Sequence, residues 1–373
     1  MRLAIAELRA HFGRFIATVI GLALLFTVVL AMGGIHRGMV VDALALIDAA
    51  GESIWLVEEG RHGPFAEPSR VDATLADRAR IVPGVRDAMA LRTLGYQFDY
   101  EGRSMRVTFV SDRFERRPML RWTVERGRLP QRSRGEIAVD RTLALPLGAR
   151  FVINDQPLLV VGHLRGAIAS SGDAVAVVSE SDLDDIQRFT PPGDRELAPA
   201  APASPAAAIL VVLDSDADRS SVRAELARIP GVTAYTAAEE RSLLLDGAVD
   251  KARRQIALFR VLLIAVSTAL LALVTFSMTA AKTREIALVK LLGARTRTLV
   301  SWVASQSLLM TLSAYGAAIA IGTKVFPKFP RRVVIEPRDL WIGLAVALVL
   351  ASISSVAAVR RALSVPAGEA LAA

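Results

Sequence analysis

The sequence contains no cysteine and few lysine or histidine residues, and each shortage excludes a class of function. Without cysteine, the chain forms no disulfide, thiol nucleophile or cysteine metal site. None of its five lysines follows a glycine, so the Gly-x-x-x-x-Gly-Lys-Ser/Thr loop that cradles nucleotide phosphates is absent. His11, His36, His62 and His163 are scattered, with no second ligand at metal-binding spacing. The sequence therefore predicts neither ATP hydrolysis by this chain nor a metal site.

Clustered positive charge is also missing, although the chain is basic. Its 45 basic and 37 acidic residues give a formal net charge of +8, and the arginines are spread along the whole sequence. Nucleic-acid binding normally requires a concentrated basic surface, so we expect no nucleic-acid partner. We interpret the arginines as surface residues and as residues that flank membrane spans.

What the sequence has in abundance is long uncharged segments, and hydrophobic residues make up 53% of the chain. At about 1.5 Å per helical residue, some twenty residues cross a hydrocarbon layer roughly 30 Å thick. Four segments reach that length and predict four transmembrane helices. The predicted spans are residues 15–36, 255–281, 298–324 and 340–359, which leaves a short extracytoplasmic loop at 325–339 and a tail at 360–373.

The N-terminus allows two alternatives. A cleaved signal peptide is disfavoured because the apolar run is long and residues 32–36 offer no small-x-small cleavage site. Before the run, Ile5, Leu8, Phe12 and Phe15 recur at helical spacing. Residues 1–14 therefore form either an interfacial helix or a plain extension of the first span.

Residues 37–254 differ in character, with mixed charges, frequent turns and short β-type runs. Strands are predicted within 53–57, 105–110 and 209–213, and helices at Val71–Arg80 and Arg219–Arg228. We expect a globular α+β domain.

A weak internal repeat refines this prediction. Ala79-Arg-Ile-Val-Pro-Gly-Val85 resembles Ala227-Arg-Ile-Pro-Gly-Val232, and each closes a helical segment between two strand candidates. Two β-α-β units of this kind predict a split ferredoxin-like subdomain. Chance is the alternative, because Pro-Gly commonly follows a helix. The subdomain would carry a β-rich lobe inserted at about 115–190, and proline-rich residues 190–207 are expected to form a flexible loop.

The loop between the second and third predicted spans, residues 282–297, is the most informative segment. Ile286, Val289 and Leu292 recur every three residues, so a short helix would have an apolar face beside charged Arg284, Glu285 and Lys290. Gly293 then ends the helix.

This loop resembles that of the FtsX/MacB-type permeases of ABC transporters, whose second and third spans are joined by T-R-E-I-x-x-x-K/R-x-L-G-A. The C-terminus is similar to the family's P-x-E-A-L ending, with one residue inserted. The resemblance implies an ATPase-coupling helix at Thr283, Arg284, Glu285, Ile286, Leu288, Val289, Lys290, Leu292, Gly293 and Ala294, and a C-terminal motif at Pro366, Glu369, Ala370 and Leu371.

Membership would imply a non-catalytic subunit in the cytoplasmic (inner) membrane, with its large domain on the extracytoplasmic side. The chain would hold no cofactor, because ATP and Mg are bound by a separate ABC ATPase. Other implied partners are membrane lipids, a second copy or a paralogous permease, and a periplasmic adaptor or hydrolase. Basic residues are almost balanced across the predicted membrane, so this orientation rests on the resemblance.

Two hypotheses from different functional classes remain. In the first, the permease converts ATP-driven motion into movement of its extracytoplasmic domain, for export or extraction of a hydrophobic substrate or for mechanotransmission. In the second, the chain is a membrane-anchored sensor or scaffold that needs no ATPase. An intramembrane enzyme is disfavoured because the spans contain no paired acids and no Ser/His set.

The proline-rich segment gives a first prediction. Limited proteolysis of the outward-facing domain should cut first within residues 190–207, because a segment without a packed core reaches a protease active site readily. Mass spectrometry of the first fragments locates the cut. Protection of this segment while other sites are cleaved would contradict the prediction.

Overall fold

The structure is a computed structural model that describes residues 12–114, 118–131, 134–188, 205–280, 296–329 and 332–364. The chain divides into two compact units. One, the α+β domain, consists of residues 39–251. The other, the helical unit, is built from the segments on either side of that domain.

Long helices occur towards both ends of the chain, and short strands and short helices lie between them. The helices are α1 (Phe12–Ala50), α2 (Leu75–Arg80), α3 (Glu180–Arg188), α4 (Arg219–Leu226), α5 (Ala237–Leu244), α6 (Asp250–Ala280), α7 (Thr296–Val325) and α8 (Pro337–Ser364). The strands are β1 (Ile54–Glu58), β2 (Val71–Asp72), β3 (Val85–Leu91), β4 (Thr93–Tyr100), β5 (Arg103–Ser111), β6 (Val124–Gly127), β7 (Glu136–Asp140), β8 (Arg150–Ile153), β9 (Gln156–Leu164), β10 (Ala174–Val178), β11 (Pro205–Ala206), β12 (Ala208–Leu213) and β13 (Val232–Thr236).

The first, third and fourth predicted spans fall within long helices, and α6 covers the second, 255–281, as far as Ala280. Among the described residues, two helical segments satisfy both length and hydropathy for crossing a membrane, Phe15–Ala50 and Ala304–Lys328. The first helix runs to Ala50, well beyond the predicted end of the first span at residue 36. Its last turns contribute Ala43, Leu46 and Ile47 to the core of the α+β domain, so the extension is held by apolar packing.

In the helical unit, α1, α7 and α8 share an apolar core. Leu22, Phe26, Ala314, Tyr315 and Ala347 are among its buried members. The rings of Phe26 and Tyr315 meet edge to face, with centroids 5.9 Å apart. Alanines at the contact allow the helix backbones to approach closely, as in membrane helix packing.

The first sheet of the α+β domain has the strand order β13-β1-β12-β3, and all its pairs are antiparallel. With α2 between β1 and β3 and α4 between β12 and β13, this is the β-α-β, β-α-β arrangement that the repeat predicts for a split ferredoxin-like subdomain. Alternate residues point to opposite faces. Ile54 and Leu56 pack in the cluster that includes α2 and α4, while Trp55 and Val57 pack in another.

The second sheet follows the order β4-β5-β10-β7-β9-β6, and β8 pairs with β9. It is the predicted β-rich lobe, but it starts at Thr93 rather than near residue 115. The reason is that the hairpin β4–β5 joins the lobe through parallel pairing of β5 with β10. The last residues of the lobe form α3, whose Leu183 and Ile186 pack against this sheet.

Two further boundaries differ from the sequence-based expectation. The first repeat helix begins at Leu75 rather than Val71, because the Asp72 carboxylate accepts a hydrogen bond from Thr74 N and forms a turn there. Residues 205–207 of the predicted flexible loop are held in place: β11 pairs with β2, and Ala207 N donates to Leu91 O. The rest of that loop, residues 190–204, lies outside the described residues, as do residues 1–11 of the predicted interfacial helix.

A buried carboxylate organises the segment after β5. Asp112 accepts hydrogen bonds from the backbone N–H groups of Arg113, Met119 and Leu120 and from Trp122 Nε1, over 2.7–3.3 Å. Burial raises the pKa of Asp112, and the four donors act against that increase. The carboxylate therefore satisfies four donors that would otherwise be left without a partner.

Asp112→Ala should lower the free energy of unfolding by roughly 3 kcal/mol or more, because it leaves buried donors unpaired. Asp155→Asn, in an exposed turn with φ +65°, is the control and should change it by less than about 0.5 kcal/mol, since asparagine tolerates that conformation. Denaturant unfolding of the full-length protein, followed by tryptophan fluorescence, measures both. Equal stability of the two variants would contradict this role of Asp112.

Candidate functional site

The two motifs that the sequence singles out lie outside the described residues. The predicted coupling helix, 283–294, falls between the end of α6 at Ala280 and the start of α7 at Thr296. The C-terminal motif at 366–371 follows the end of α8 at Ser364. Both stay predictions from sequence, and the structure describes the helices on either side of the first and the helix before the second.

Polar side chains tie α7 to its neighbours. Ser307 Oγ donates a hydrogen bond to Ala351 O on α8 at 3.2 Å, and Tyr315 OH donates to Leu340 O at 2.6 Å. Thr27 Oγ1 on α1 is 3.3 Å from Ala318 O. These contacts place Ser307 in a helix–helix contact, as its position in the third predicted span suggests.

Glycines let the chain between α7 and α8 lie against α1. A Cβ at Gly34 would lie 2.5 Å from Val333 Cγ1, and one at Gly38 would lie 1.8 Å from Arg332 O. Next to them, Arg37 pairs with Glu336 at 3.4 Å and also with Asp339. Close backbone approach and an ion-pair cluster therefore fix this end of the helical unit.

In the α+β domain, the turn at Gly127 and Arg128 has a structural role. Gly127 has φ +74°, and a Cβ there would lie 2.3 Å from Val161 O. The next residue, Arg128, binds both carboxylate oxygens of buried Glu136 at 2.7 Å. A bidentate pair of this kind fixes orientation as well as charge, so this turn stabilises the lobe.

A cleft in the α+β domain has a volume of about 620 Å³. It is open, has both polar and apolar lining, and lies where α1 ends, between β3, the chain after β12 and the segment before β6. Its lining includes Ala50, Glu52, Ser53, Arg86, Asp87, Met119, Arg121, Asp214, Ser215 and Arg219.

Charges of both signs line this cleft. Arg219 binds Glu52 at 2.6 Å, and Asp87 lies 3.2 Å from Arg113. Within the described residues, Arg86 and Arg121 have no carboxylate at ion-pair distance. The described lining holds no histidine, and the described residues contain no cluster of acids and histidines suited to a metal.

Glu240 is a residue that sequence reasoning missed. Its side chain is only 1% exposed, on the face of α5 that also buries Ala237 and Leu244. The signal is present in the sequence: Thr236 and Glu239 have the Ser/Thr-x-x-Glu spacing of a capping box, and the next residue then falls on the apolar face. Predicting this burial would have required assigning the adjacent Glu239 and Glu240 to different environments, the first accessible to solvent and the second buried.

Two family models match the chain. The MacB-like periplasmic core domain matches residues 15–229, more than half of the chain, and the FtsX-like permease C-terminal region matches residues 257–367. Proteins named as uncharacterized ABC transporter permeases are similar over 372 residues. One from Mycobacterium tuberculosis is 25% identical, with 97% of this chain and 96% of the relative covered. One from Mycobacterium bovis is 24% identical, with 94% and 93% covered.

Solved structures of two related domains also match. The periplasmic region of MacB from Actinobacillus actinomycetemcomitans has 11% identity and a TM-score of 0.37, covering 51% of this chain and 91% of that one. The extracellular domain of the ABC-type transporter YknZ from Gram-positive bacteria has 14% identity and a TM-score of 0.35, covering 49% and 99%. Given the family models, the chain belongs to the FtsX/MacB-type family of ABC transporter permeases.

Proposed function

We propose that this permease is the membrane subunit of a two-component ABC machine: it crosses the membrane four times, works as a dimer and binds a separate ATPase through residues 283–294. The observation that carries the proposal is the combination of a MacB-like periplasmic domain and an FtsX-like region in one chain that lacks a P-loop. A permease without its own nucleotide site needs a motor on another polypeptide. ATP and Mg then belong to that partner.

The four spans would be carried by α1, α6, α7 and α8. Uncharged runs occur in all four, including residues 261–281 and 340–359, although α6 and α8 lie outside the two segments that satisfy the combined criterion. Four spans place both ends of the chain and the coupling segment on one side of the membrane, with the α+β domain on the other. The MacB-like domain supports assigning that other side to the periplasm.

The composition of residues 283–294 suits a coupling helix. Ile286, Val289 and Leu292 supply an apolar stripe that can seat in a groove on the ATPase, while Glu285 and Lys290 can set its orientation at the rim. A short amphipathic helix held in a groove transmits displacement of the ATPase directly to the spans on either side. The C-terminal motif at Pro366, Glu369, Ala370 and Leu371 would face the same side.

The α+β domain would be the output of this movement. Its mixed-charge cleft suits contact with a soluble adaptor or hydrolase, and direct extraction of a hydrophobic substrate from the membrane is the other use of such a domain. The second copy could be identical or a paralogous permease. The partner or substrate of the α+β domain and the identity of the second copy determine what the complex does with the energy of ATP. Every one of these alternatives requires the same coupling step.

The coupling step is tested by the double variant Glu285→Arg, Leu288→Asp. Reversing a rim charge and placing a carboxylate at an apolar contact should reduce co-purification of the ABC ATPase encoded beside this permease by at least about tenfold. The wild type should capture it and support ATP hydrolysis in lipid nanodiscs. Affinity capture followed by the ATPase assay measures both.

The control makes the same two chemical changes in the α+β domain, at exposed Glu59 and Val152, as Glu59→Arg, Val152→Asp. The control should bind the ATPase like the wild type. If the coupling variant binds as well as this control, residues 283–294 are not the contact. If the folded wild type captures no ATPase, the sensor or scaffold function is favoured instead.

A further inference from the structure

Glu240 is a buried acid, and the described residues place no cation at ion-pair distance from it. Its side chain lies in the layer of α5 that packs with Trp55 in the core of the α+β domain. Within the described residues, its Oε1 has no hydrogen-bond partner. Burying an ionised carboxylate in such a place is strongly unfavourable, so the neutral acid is the form that fits.

The loop after β1 closes over this carboxyl group. Gly63 has φ +85°, and a Cβ there would lie 2.0 Å from Glu240 Oε2. The backbone of the loop therefore approaches the acid as closely as glycine permits. Phe65 in the same loop packs edge to face on Trp55, with ring centroids 5.6 Å apart, so aromatic packing holds the loop down.

The charges around Glu240 do not offset its own. Arg223 binds Glu239 at 2.9 Å, Arg241 binds Asp48, and Arg61 lies 3.9 Å from Glu58. His62 lies 3.2 Å from Glu67. The titratable or charged groups of the surrounding elements are Asp42 and Asp48 on α1, Glu58 on β1, Glu59, Arg61, His62, Glu67 and Arg70 in the loop, Arg223 on α4, Tyr235 on β13, and Glu239 and Arg241 on α5.

Burial, and to a smaller extent the neighbouring charge of Glu239, raises the pKa of Glu240 from 4.5 to about 7. An acid whose pKa is raised in the packed state contributes most to packing at a pH below its ordinary pKa, where it is protonated whether packed or released. That contribution is lost as the pH rises through about 7. Docking of α5 should therefore be tight in mild acid and weaker above neutral pH.

The position of α5 in the chain connects the titration of Glu240 to the start of α6. Immediately after α5, residues Leu245–Val249 form a π-helical turn, and α6 begins at Asp250. Single π-turns inside helices are rare and commonly mark functional positions. The backbone thus runs as helix from Glu240 through this turn into the first turn of α6.

We propose that α5 is a pH-sensitive latch: protonated Glu240 holds α5 against the α+β domain, and ionisation of Glu240 releases α5 together with the π-helical turn that leads into α6. The latch lies wholly within the α+β domain and does not depend on ATPase binding. In a domain on the outer side of the membrane it would respond to external pH.

The test is hydrogen–deuterium exchange of peptides covering residues 237–249 in the full-length protein in nanodiscs, from pH 5.5 to 8.5, corrected for the intrinsic exchange rate. Protection in the wild type should fall by at least about tenfold over this range. The pKa of Glu240 is raised by more than one pH unit, and each unit corresponds to a tenfold change in the packing equilibrium. In Glu240→Gln, protection should stay at its acid value. Glu225→Gln, an exposed glutamate on α4, is the matched control and should titrate like the wild type.

A second variant tests the latch while Glu240 itself is kept. Glu239→Gln retains a capping-box partner for Thr236 but removes the neighbouring negative charge, so the midpoint of release should move to lower pH. A purely structural role of Glu240 predicts no such movement. The proposal is overturned if wild-type protection is independent of pH, if Glu240→Gln titrates like the wild type, or if Glu239→Gln leaves the midpoint unchanged.

Discussion

Pairing between β1 and β12 is the interaction on which the α+β domain depends. It sets Ile54 opposite Val211 and so joins the start of the domain to a strand beyond the whole inserted lobe. Such distant pairing is entropically demanding, and neither half of the ferredoxin-like sheet can bury Trp55 or Leu210 alone. The lobe can be long because it leaves from β3 and returns to β12, which are themselves paired. The insertion therefore closes on neighbouring strands and leaves the sheet intact.

The same sheet brings together the two ends of the domain. Ile54, just after α1, lies opposite Thr236, the N-cap of α5, in the pairing of β1 with β13. Both connections to the helical unit therefore start from adjacent strand ends, as expected for a domain inserted into another chain segment. In an ABC permease, this arrangement means that movement of either connecting helix would be applied at one end of one sheet. Glu240 lies on the helix that begins at that end.

Much of this architecture can be read from the sequence, because it depends on local patterns. Uncharged runs predicted the long helices, and the Pro-Gly repeat after two helices predicted the split sheet. The sequence-based expectations that were wrong or missing concern contacts between residues far apart in the sequence. The hairpin of β4 and β5 joins the lobe through the pairing of β5 with β10 and the packing of Phe98 on Phe151, and the C-terminal turns of α1 pack in the core around Trp55. Glu240 was missed because the capping-box spacing indicates only on which face of α5 it lies, whereas its full burial also depends on the distant approach of Gly63.

In the proposed machine, nucleotide binding by a partner ATPase moves the α+β domain of a dimeric permease. The absence of cysteine makes this directly measurable, since a single Val152→Cys substitution at an exposed position of β8 gives one spin label per chain. Dipolar spectroscopy of the permease–ATPase complex in nanodiscs, with and without a non-hydrolysable ATP analogue, reports the distance between the two labels. A dimeric permease driven in this way should give a defined distance distribution that shifts when nucleotide binds. An unchanged distribution, or the absence of dipolar coupling in an intact complex, would contradict it.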